Sequence, residues 1–572
     1  MNNIVLLRTL LLSTLLGLSG CQQASEQSKH SRSVSNTVSF DWFRYQGSDA
    51  LFSQALPQNS FQNPILSGFY PDPSITRKGN DYYMVNSSFA YAPGVPISHS
   101  RDLVNWRLIG HVLSQPSQLN MQNLQVSQGI YAPTLRYHEG VFYMITTLVA
   151  GGGNFIVTAS DPAGPWSDPI WLPEIGGIDP DIFFDDDGKA YIAHNDAPQG
   201  EPLYQGHRAI WLWEFDLATL KVVPDSGRVI VNGGADISQQ PIWVEGPHIY
   251  KINGWYYLSC AEGGTGPQHS QVVFRSKDLQ QPFEPYAGNP ILTQRDLPVE
   301  RANPITSTGH ADFIQTPEGE WWAVFLGTRP YQGNKYNTGR ETFLLPVSWE
   351  NEWPHILPQG EPVPYIVAKP LISKHLEPLT EVDTQTGNFV WQDDFDKRRL
   401  NPHWNLLRSL DSEWLSINDG RLNLQASQHQ LDQQNKVSFV GRRQQHMTFD
   451  ASTSVVLPQN EQLSGGMVAF QNEKFYYYFA LQKQGTHYHL FVQQVNNGQS
   501  TMVAETSLPL NIGSALTLQV RGEKGLISFY YQTENKTAEL LLKEADATML
   551  STEVAGGFVG TMLGLYVQNA IK

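Results

Sequence analysis

Apolar residues in this chain fall into many short runs broken by Gly, Asn, Asp and Pro. After residue 40, long stretches with helical spacing are scarce. Aromatic and β-branched runs bounded by turn residues dominate, which predicts strands and an all-β chain. Five runs resemble one another: GNDYYMVNSS (79–88), GVFYMITT (140–147), GKAYIAHN (188–195), GWYYLSCAE (254–262) and GEWWAVFLG (319–327). Each follows a second short apolar stretch, respectively PSITRK, PTLRYHE, PDIFFDDD, PHIYKIN and ADFIQTPE, so each unit holds a hairpin. The units recur roughly every 50–65 residues, which leaves room for two more strands in each. Four-stranded units repeated about an axis form a β-propeller, and five copies predict five blades.

The repeat also sets a register. Counting back twelve residues from the second aromatic of the last four strands (Tyr143, Tyr191, Tyr257, Trp322) reaches Tyr131, Asp179, Glu245 and His310. Counting back eleven from Tyr83, where the turn is one residue shorter, reaches Asp72. Equivalent positions in a propeller lie on a ring around the axis. Three carboxylates, a phenol and an imidazole on one ring do not suit a structural core, because burying like charges together costs free energy and drives their pKa values apart. Singly, Asp72-Pro73 or Asp179-Pro180 reads as a turn; together the five predict a functional site. Asp185-Asp186-Asp187-Gly188 falls at a hairpin turn, lacks the later Glu of an EF-hand and is expected to be a solvated turn.

The pattern changes near residue 371. LISKHLEPLTEVDTQTGN is a polar connector, and the alternating strands beyond it (RLNLQAS, GGMVAFQ, KFYYYFALQ, HYHLFVQQV, ALTLQVRG) predict a β-sandwich. The organisation expected is a leader at 1–21, a Ser- and Gln-rich flexible tether at 22–39, the propeller at 40–370, a linker at 371–390 and the sandwich at 391–572. In the leader, Arg8 precedes the apolar run LLLSTLLGLSG, the pattern of a secretory signal too short to span a membrane. LSGC resembles a bacterial lipobox, which implies lipidation of Cys21. Gln22 follows it, so the expected place is the cell envelope, lipid-anchored, at the outer membrane.

Composition narrows the function classes. The 572 residues include 15 Trp and 24 Tyr, and the net charge is -16 with no basic run longer than Lys397-Arg398-Arg399. That disfavours nucleic acid as a partner. Two cysteines, Cys21 and Cys260, make no disulfide framework, and Cys260 reads as a buried small side chain. HExxH, GxSxG and GxxxxGK are absent. Carboxylates paired across a sugar-sized cleft are the chemistry of glycoside hydrolysis: one, protonated, donates to the leaving oxygen, and the other activates water or attacks the anomeric carbon.

The strings NPILSGFYPDPSI, VPISHSRDLVNWRLIGHVL, IDPDIFFDDDGKAYI, WVEGPHIYK, AEGGTG, NPITSTGHADF and GRETFLLPVSWENEWP together resemble glycoside hydrolase family 43 over about residues 61–370. The resemblance implies a five-bladed propeller with β-xylosidase or α-L-arabinofuranosidase activity and an inverting mechanism. It implies Asp72 as base, Glu245 as acid and Asp179 as the modulator of the acid. It implies that Arg340 contacts the sugar and that His310 lies near the axis, where some members hold a calcium ion; no other cofactor is implied. Tyr131 stands where some xylosidases carry Trp, and Trp106 fits blade packing. The segment after residue 391 is similar to the concanavalin A-like domain of family 43 xylosidases. The substrate expected is a terminal α-L-arabinofuranose or β-1,4-xylose on plant or algal oligosaccharides. Galactose-type glycans and a non-catalytic glycan-binding lipoprotein are the alternatives.

Overall fold

The structure, a computed structural model, describes residues 36–371, 386–534 and 536–570. The leader, Cys21, most of the tether and most of the linker lie outside the described residues.

Five antiparallel sheets follow one another along the chain as predicted. Blade one is typical: Ser74–Lys78, Asp81–Val85, Gly94–Ser100 and Arg107–Leu113 pair in sequence order. In blades two to four one of the four strands is split in two. The first strands of the blades (Ser74–Lys78, Thr134–His138, Ile178–Phe184, Glu245–Ile252 and Thr306–Gln315) pack against one another around the axis. The hairpin turns obey local chemistry. In blade four Asn253 and Gly254 both have positive φ, 50° and 75°, the two-residue turn whose twist suits a hairpin. Trp106 packs in the propeller core with its indole N–H donating to the Leu103 carbonyl at 2.8 Å, and Cys260 is buried and free.

The propeller closes through the segment before blade one. Leu66 and Thr342 exchange backbone hydrogen bonds, at 3.2 and 3.1 Å, and the Asn63 side chain bonds both backbone groups of Leu344. Blade five is thereby tied to the start of the domain without sharing a blade.

The C-terminal domain is a sandwich of an eight-stranded and a six-stranded sheet over one apolar core. Here the expected boundaries need correction. Thr37–Gly47 does not belong to the propeller or to a tether: it lies inside the eight-stranded sheet. It pairs with Arg421–Gln425 and Val390–Asp393 on one edge and with Thr448–Val456 on the other. Val38, Phe40, Phe43 and Tyr45 enter the sandwich core. The register shift between Phe40 and Trp42 reverses the inward parity mid-strand, which hides the alternation in the sequence.

The two domains meet through buried polar groups. Arg329 makes a two-point ion pair with Glu341, at 2.6 and 2.8 Å, and also reaches Asp49. The Asp49 carboxylate accepts from the backbone N–H of Met447 and Thr448 in the sandwich. Glu341 also accepts from the Gly68 N–H at 2.7 Å, while Gln445 donates to the Ser67 carbonyl and Arg443 to the Phe69 carbonyl. A Cβ on Gly68 would lie 2.7 Å from Gln445, so the close approach of the sandwich requires glycine there. The segment leading to Asp72 is thus clamped from both domains.

Candidate active site

Asp72, Tyr131, Asp179, Glu245, His310 and Arg340 all line one cavity of ≈ 460 Å³ at the propeller axis. The six sequence-predicted residues are brought together, but not on one strict ring. The cross-strand partners of the second aromatics are Thr76, Arg136, Phe183, Tyr250 and Ile314. Four residues before these stand Asp72, Ala132, Asp179, Gly246 and His310. Tyr131 and Glu245 sit one residue earlier. The turns of blades two and four are short like that of blade one, and the twelve-residue count overshoots there by one.

The difference has a structural consequence. Asp72, Asp179, Gly246 and His310 share a left-handed backbone, φ 51°, 56°, 56° and 53°. Three non-glycine residues in this region mark strain held by the surrounding fold. At Gly246 a Cβ would lie 2.9 Å from the His310 ring, so glycine makes room for the imidazole next to Glu245.

The carboxylates differ in their surroundings. Asp72 accepts from Arg340 at 2.7 and 3.3 Å, and from the Ser87 hydroxyl at 2.5 Å. Of about four lone-pair sites on a carboxylate, three are used and one is left for a water. Among the described residues the Asp179 carboxylate accepts only the Gly246 N–H, at 3.2 Å. Burial, reinforced by the Asp72 charge, raises its pKa above the usual carboxylate range. The Glu245 carboxyl has no hydrogen bond to protein among the described residues. Burial, then the charges of Asp179 and Asp72, raise its pKa well above the ordinary value, against weaker opposition from Arg340 and Arg208. One carboxyl is thus tied to a guanidinium, while the same pocket raises the proton affinity of another.

His310 lies 3.9 Å from Asp72, and burial pushes its imidazole down to about 3, so it is neutral. Calcium takes about six to eight oxygen ligands. Among the described residues no group of three or more His, Cys, Asp or Glu is arranged to hold a metal ion. The described residues around His310 do not build a calcium shell of their own, and water would have to fill it.

Two residues further along each first strand lies a second level: Ser74, Thr134, Asp181, His248 and Asp312. Asp312 accepts from Ser74, Arg136 and Tyr250 at 2.7, 2.7 and 2.6 Å. Burial opposes its ionisation, but Arg136 and these hydrogen bonds hold it well below the usual range. Arg136 also pairs with Asp181 at 3.0 Å. This buried network locks the first strands together beneath the site. Asp185 departs from the solvated turn expected: it is buried and bonds Lys251 and Tyr256 of the next blade, while Asp186 and Asp187 are exposed.

Sequence reasoning missed several wall residues. Phe89, whose φ of 49° aims it inward from the end of the first repeat, packs on Tyr131 with centroids 5.1 Å apart. The Thr265 hydroxyl accepts from Arg340 at 3.2 Å; it belongs to the AEGGTG string and could have been found there. Phe558 comes from the sandwich. Its ring lies 6.0 Å from Phe89 and 5.7 Å from Tyr131, and its N–H donates to Ser127. Nothing local in the sequence marks it. The Tyr131 hydroxyl donates to the Ser127 carbonyl, and burial raises its pKa to about 12.

A buried carboxyl of raised proton affinity and an arginine-paired one lining the same sugar-sized cavity suit glycoside hydrolysis. The chain belongs to glycosyl hydrolases family 43, whose model matches residues 61–354; that of the beta xylosidase C-terminal concanavalin A-like domain matches residues 392–572. A xylosidase/arabinosidase of Butyrivibrio fibrisolvens is 39% identical over 89% of this chain and 95% of its own. A non-reducing end alpha-L-arabinofuranosidase of Bacteroides ovatus is 36% identical over 90% and 92%. The crystal structure of a GH43_12 protein from a capybara gut metagenome superposes with a TM-score of 0.87 at 40% identity, covering 93% of this chain and 99% of that one. The protein is an all-β glycosidase, a five-bladed propeller with a concanavalin A-like sandwich.

Proposed function

We propose that the enzyme is an inverting exo-glycosidase that removes terminal α-L-arabinofuranose, β-1,4-xylose or both from plant or algal oligosaccharides. The observation that carries this reading is the division of labour in the pocket: Asp72 is oriented by Arg340 and Ser87, while Glu245 is left without a side-chain partner among the described residues and burial and two neighbouring carboxylates raise its proton affinity. Asp72 takes a proton from a water as that water attacks the anomeric carbon. Glu245 gives its proton to the glycosidic oxygen as the bond to the leaving sugar breaks. Asp179, held on the Gly246 N–H beside Glu245, raises the affinity of Glu245 for that proton. Arg340, Tyr131 and neutral His310 contact the terminal sugar, and Phe89 and Phe558 close its apolar side. The aromatic closure suits a single pentose at a chain end. The names borne by the relatives in Butyrivibrio and Bacteroides agree with a pentose.

The lipid anchor at Cys21 and the outer-membrane location belong to the same reading. An enzyme held outside the inner membrane meets oligosaccharides before uptake. Globomycin, which blocks lipoprotein signal cleavage, is expected to leave a larger precursor.

The first experiment is hydrolysis of nitrophenyl β-xyloside, nitrophenyl α-L-arabinofuranoside and a natural pentose oligosaccharide by wild type and Glu245→Ala. Proton NMR then follows the anomer released first. The variant should lose about 10²–10⁴-fold in rate on the natural substrate, the usual worth of general acid catalysis, and less on the nitrophenyl glycosides, whose leaving group needs least acid help. A first product of retained configuration would refute the inverting assignment. No cleavage of any pentoside would turn attention to galactosides or to glycan binding alone.

A further inference from the structure

The aromatic side of the pocket is assembled from three separate pieces of chain: Phe89 follows the second strand of blade one, Tyr131 precedes the first strand of blade two, and Phe558 comes from the sandwich. One short propeller segment, 126–130, is bonded to all three. Phe89 and Ile130 exchange backbone hydrogen bonds at 2.8 and 3.1 Å, and the Ala90 N–H donates to the Val126 carbonyl at 3.2 Å. A Cβ on Gly129 would lie 2.5 Å from the Phe89 carbonyl oxygen, so this approach requires glycine. The Ser127 carbonyl accepts from the Tyr131 hydroxyl at 3.1 Å, and the Ser127 hydroxyl oxygen accepts from the Phe558 N–H at 3.0 Å. Val126 and Phe89 share one apolar cluster, with Tyr131 and Phe558 packed against it.

Phe558 needs such a hold. It follows Gly556 and Gly557, both left-handed with φ of 74° and 79°, and glycine restricts the backbone least. A Cβ on Gly557 would lie 2.2 Å from the Ser127 hydroxyl oxygen, so the two chain segments are in contact there. Further fixed points come from the sandwich turn between Leu463–Asn472 and Phe475–Gln484. Gln471 donates to the Val559 carbonyl at 2.9 Å, and Asn472 to the Ala555 carbonyl at 3.1 Å. The next residue, Glu473, accepts from the Val126 N–H at 2.8 Å and from buried Arg408, which also donates to the Leu124 carbonyl at 2.6 Å. Three consecutive side chains thus hold the Phe558 loop and the Ser127 segment side by side, and the Ser127 hydroxyl joins the two.

We infer that Ser127 is a positioning residue for the glycosidase reaction: through its carbonyl and its hydroxyl it keeps Tyr131 and Phe558, rings from two domains, at one spacing against the terminal sugar. The inference rests on the reading that these rings meet that sugar. Alanine at 127 keeps the carbonyl that accepts from Tyr131 and removes the acceptor of the Phe558 N–H. The ring then hangs on a loop with two glycines before it. Asp72 and Glu245 keep their surroundings, so the loss falls on KM.

The test is a double-mutant cycle. The kcat and KM for a nitrophenyl pentoside are measured for wild type, Ser127→Ala, Phe558→Ala and the double variant, with a melt on each sample. Ser127→Ala should raise KM about three- to tenfold, the worth of one hydrogen bond, with the melting temperature nearly unchanged. In the Phe558→Ala background the same substitution should cost less than about twofold, because no ring is left to place. Equal losses in the two backgrounds, or no rise in KM, would overturn the inference and leave the pentosidase reading intact. Amide hydrogen exchange gives a readout that needs no substrate: the Phe558 N–H should exchange faster in Ser127→Ala, and unchanged exchange would also overturn the inference. If wild type cleaves no pentoside, it is the pentosidase reading that fails, and exchange alone then judges the hold on Phe558.

Discussion

Deleting residues 36–47 should cripple a domain that begins more than 300 residues later. Val38, Phe40, Phe43 and Tyr45 are 1%, 0%, 0% and 0% exposed, all in the sandwich core. At about 1.5–3 kcal/mol for each fully buried large apolar side chain, the four contribute roughly 6–12 kcal/mol. That figure is an upper bound, since an unfolded chain already buries part of this surface. It is still comparable with the whole net stability of a typical domain, about 5–15 kcal/mol. The backbone adds to the loss. The strand lies between Thr448–Val456 on one side and Arg421–Gln425 with Val390–Asp393 on the other, so its removal opens two unpaired edges inside the sheet. The Tyr45 hydroxyl also accepts from the N–H groups of Gln445 and His446, both at 3.0 Å, next to the contacts that clamp the Asp72 segment. Chains spanning 36–572 and 48–572 would be compared by soluble yield, circular dichroism, thermal melting and pentoside hydrolysis. The shorter chain should aggregate or melt at much lower temperature and lose activity as Phe558 leaves the pocket. Equal melting temperatures and equal activity would refute the placement of this strand.

Three further outcomes are expected. Glu245 must be protonated to act, so kcat/KM should fall as pH rises through its pKa; Asp179→Asn removes a charge that raises this pKa, and the high-pH limb should move to lower pH. A limb that stays in place would remove Asp179 from its modulating role. Phe558→Ala should raise KM for pentosides several-fold with little change in melting temperature, because the ring is half-buried at the rim of the pocket; kinetics and a melt on the same sample separate the two effects. Arg329→Met strands the fully buried Glu341 and Asp49 without their cation and should cost about 3–5 kcal/mol in urea unfolding, whereas a loss below about 1 kcal/mol would show that the network is not needed at the domain interface.

Much of this was legible in the linear chain. The hairpin repeat is local: turn, aromatic strand and partner strand all fall within about twenty residues, so their spacing survives in the sequence and yields five blades. The same spacing brought Asp72, Asp179 and Glu245 to one mouth, because equivalent positions of a repeat must lie at equivalent radii. Its resolution ended at a single residue. Turn length differs between blades, and only the strand pairing shows that Gly246, not Glu245, occupies the ring position of Asp179. What tertiary structure alone decided is non-local. Thr37–Gly47 belongs to a sheet whose other strands begin at Val390, and a bulge erased its alternation. Phe558 reaches the pocket from the other domain, with no periodicity linking it to Phe89 or Tyr131. The proton affinity of Glu245 is likewise a product of the fold. It depends on burial and on how close Asp72, Asp179 and Arg340 come, and those distances are set by packing around the axis, not by any spacing along the chain.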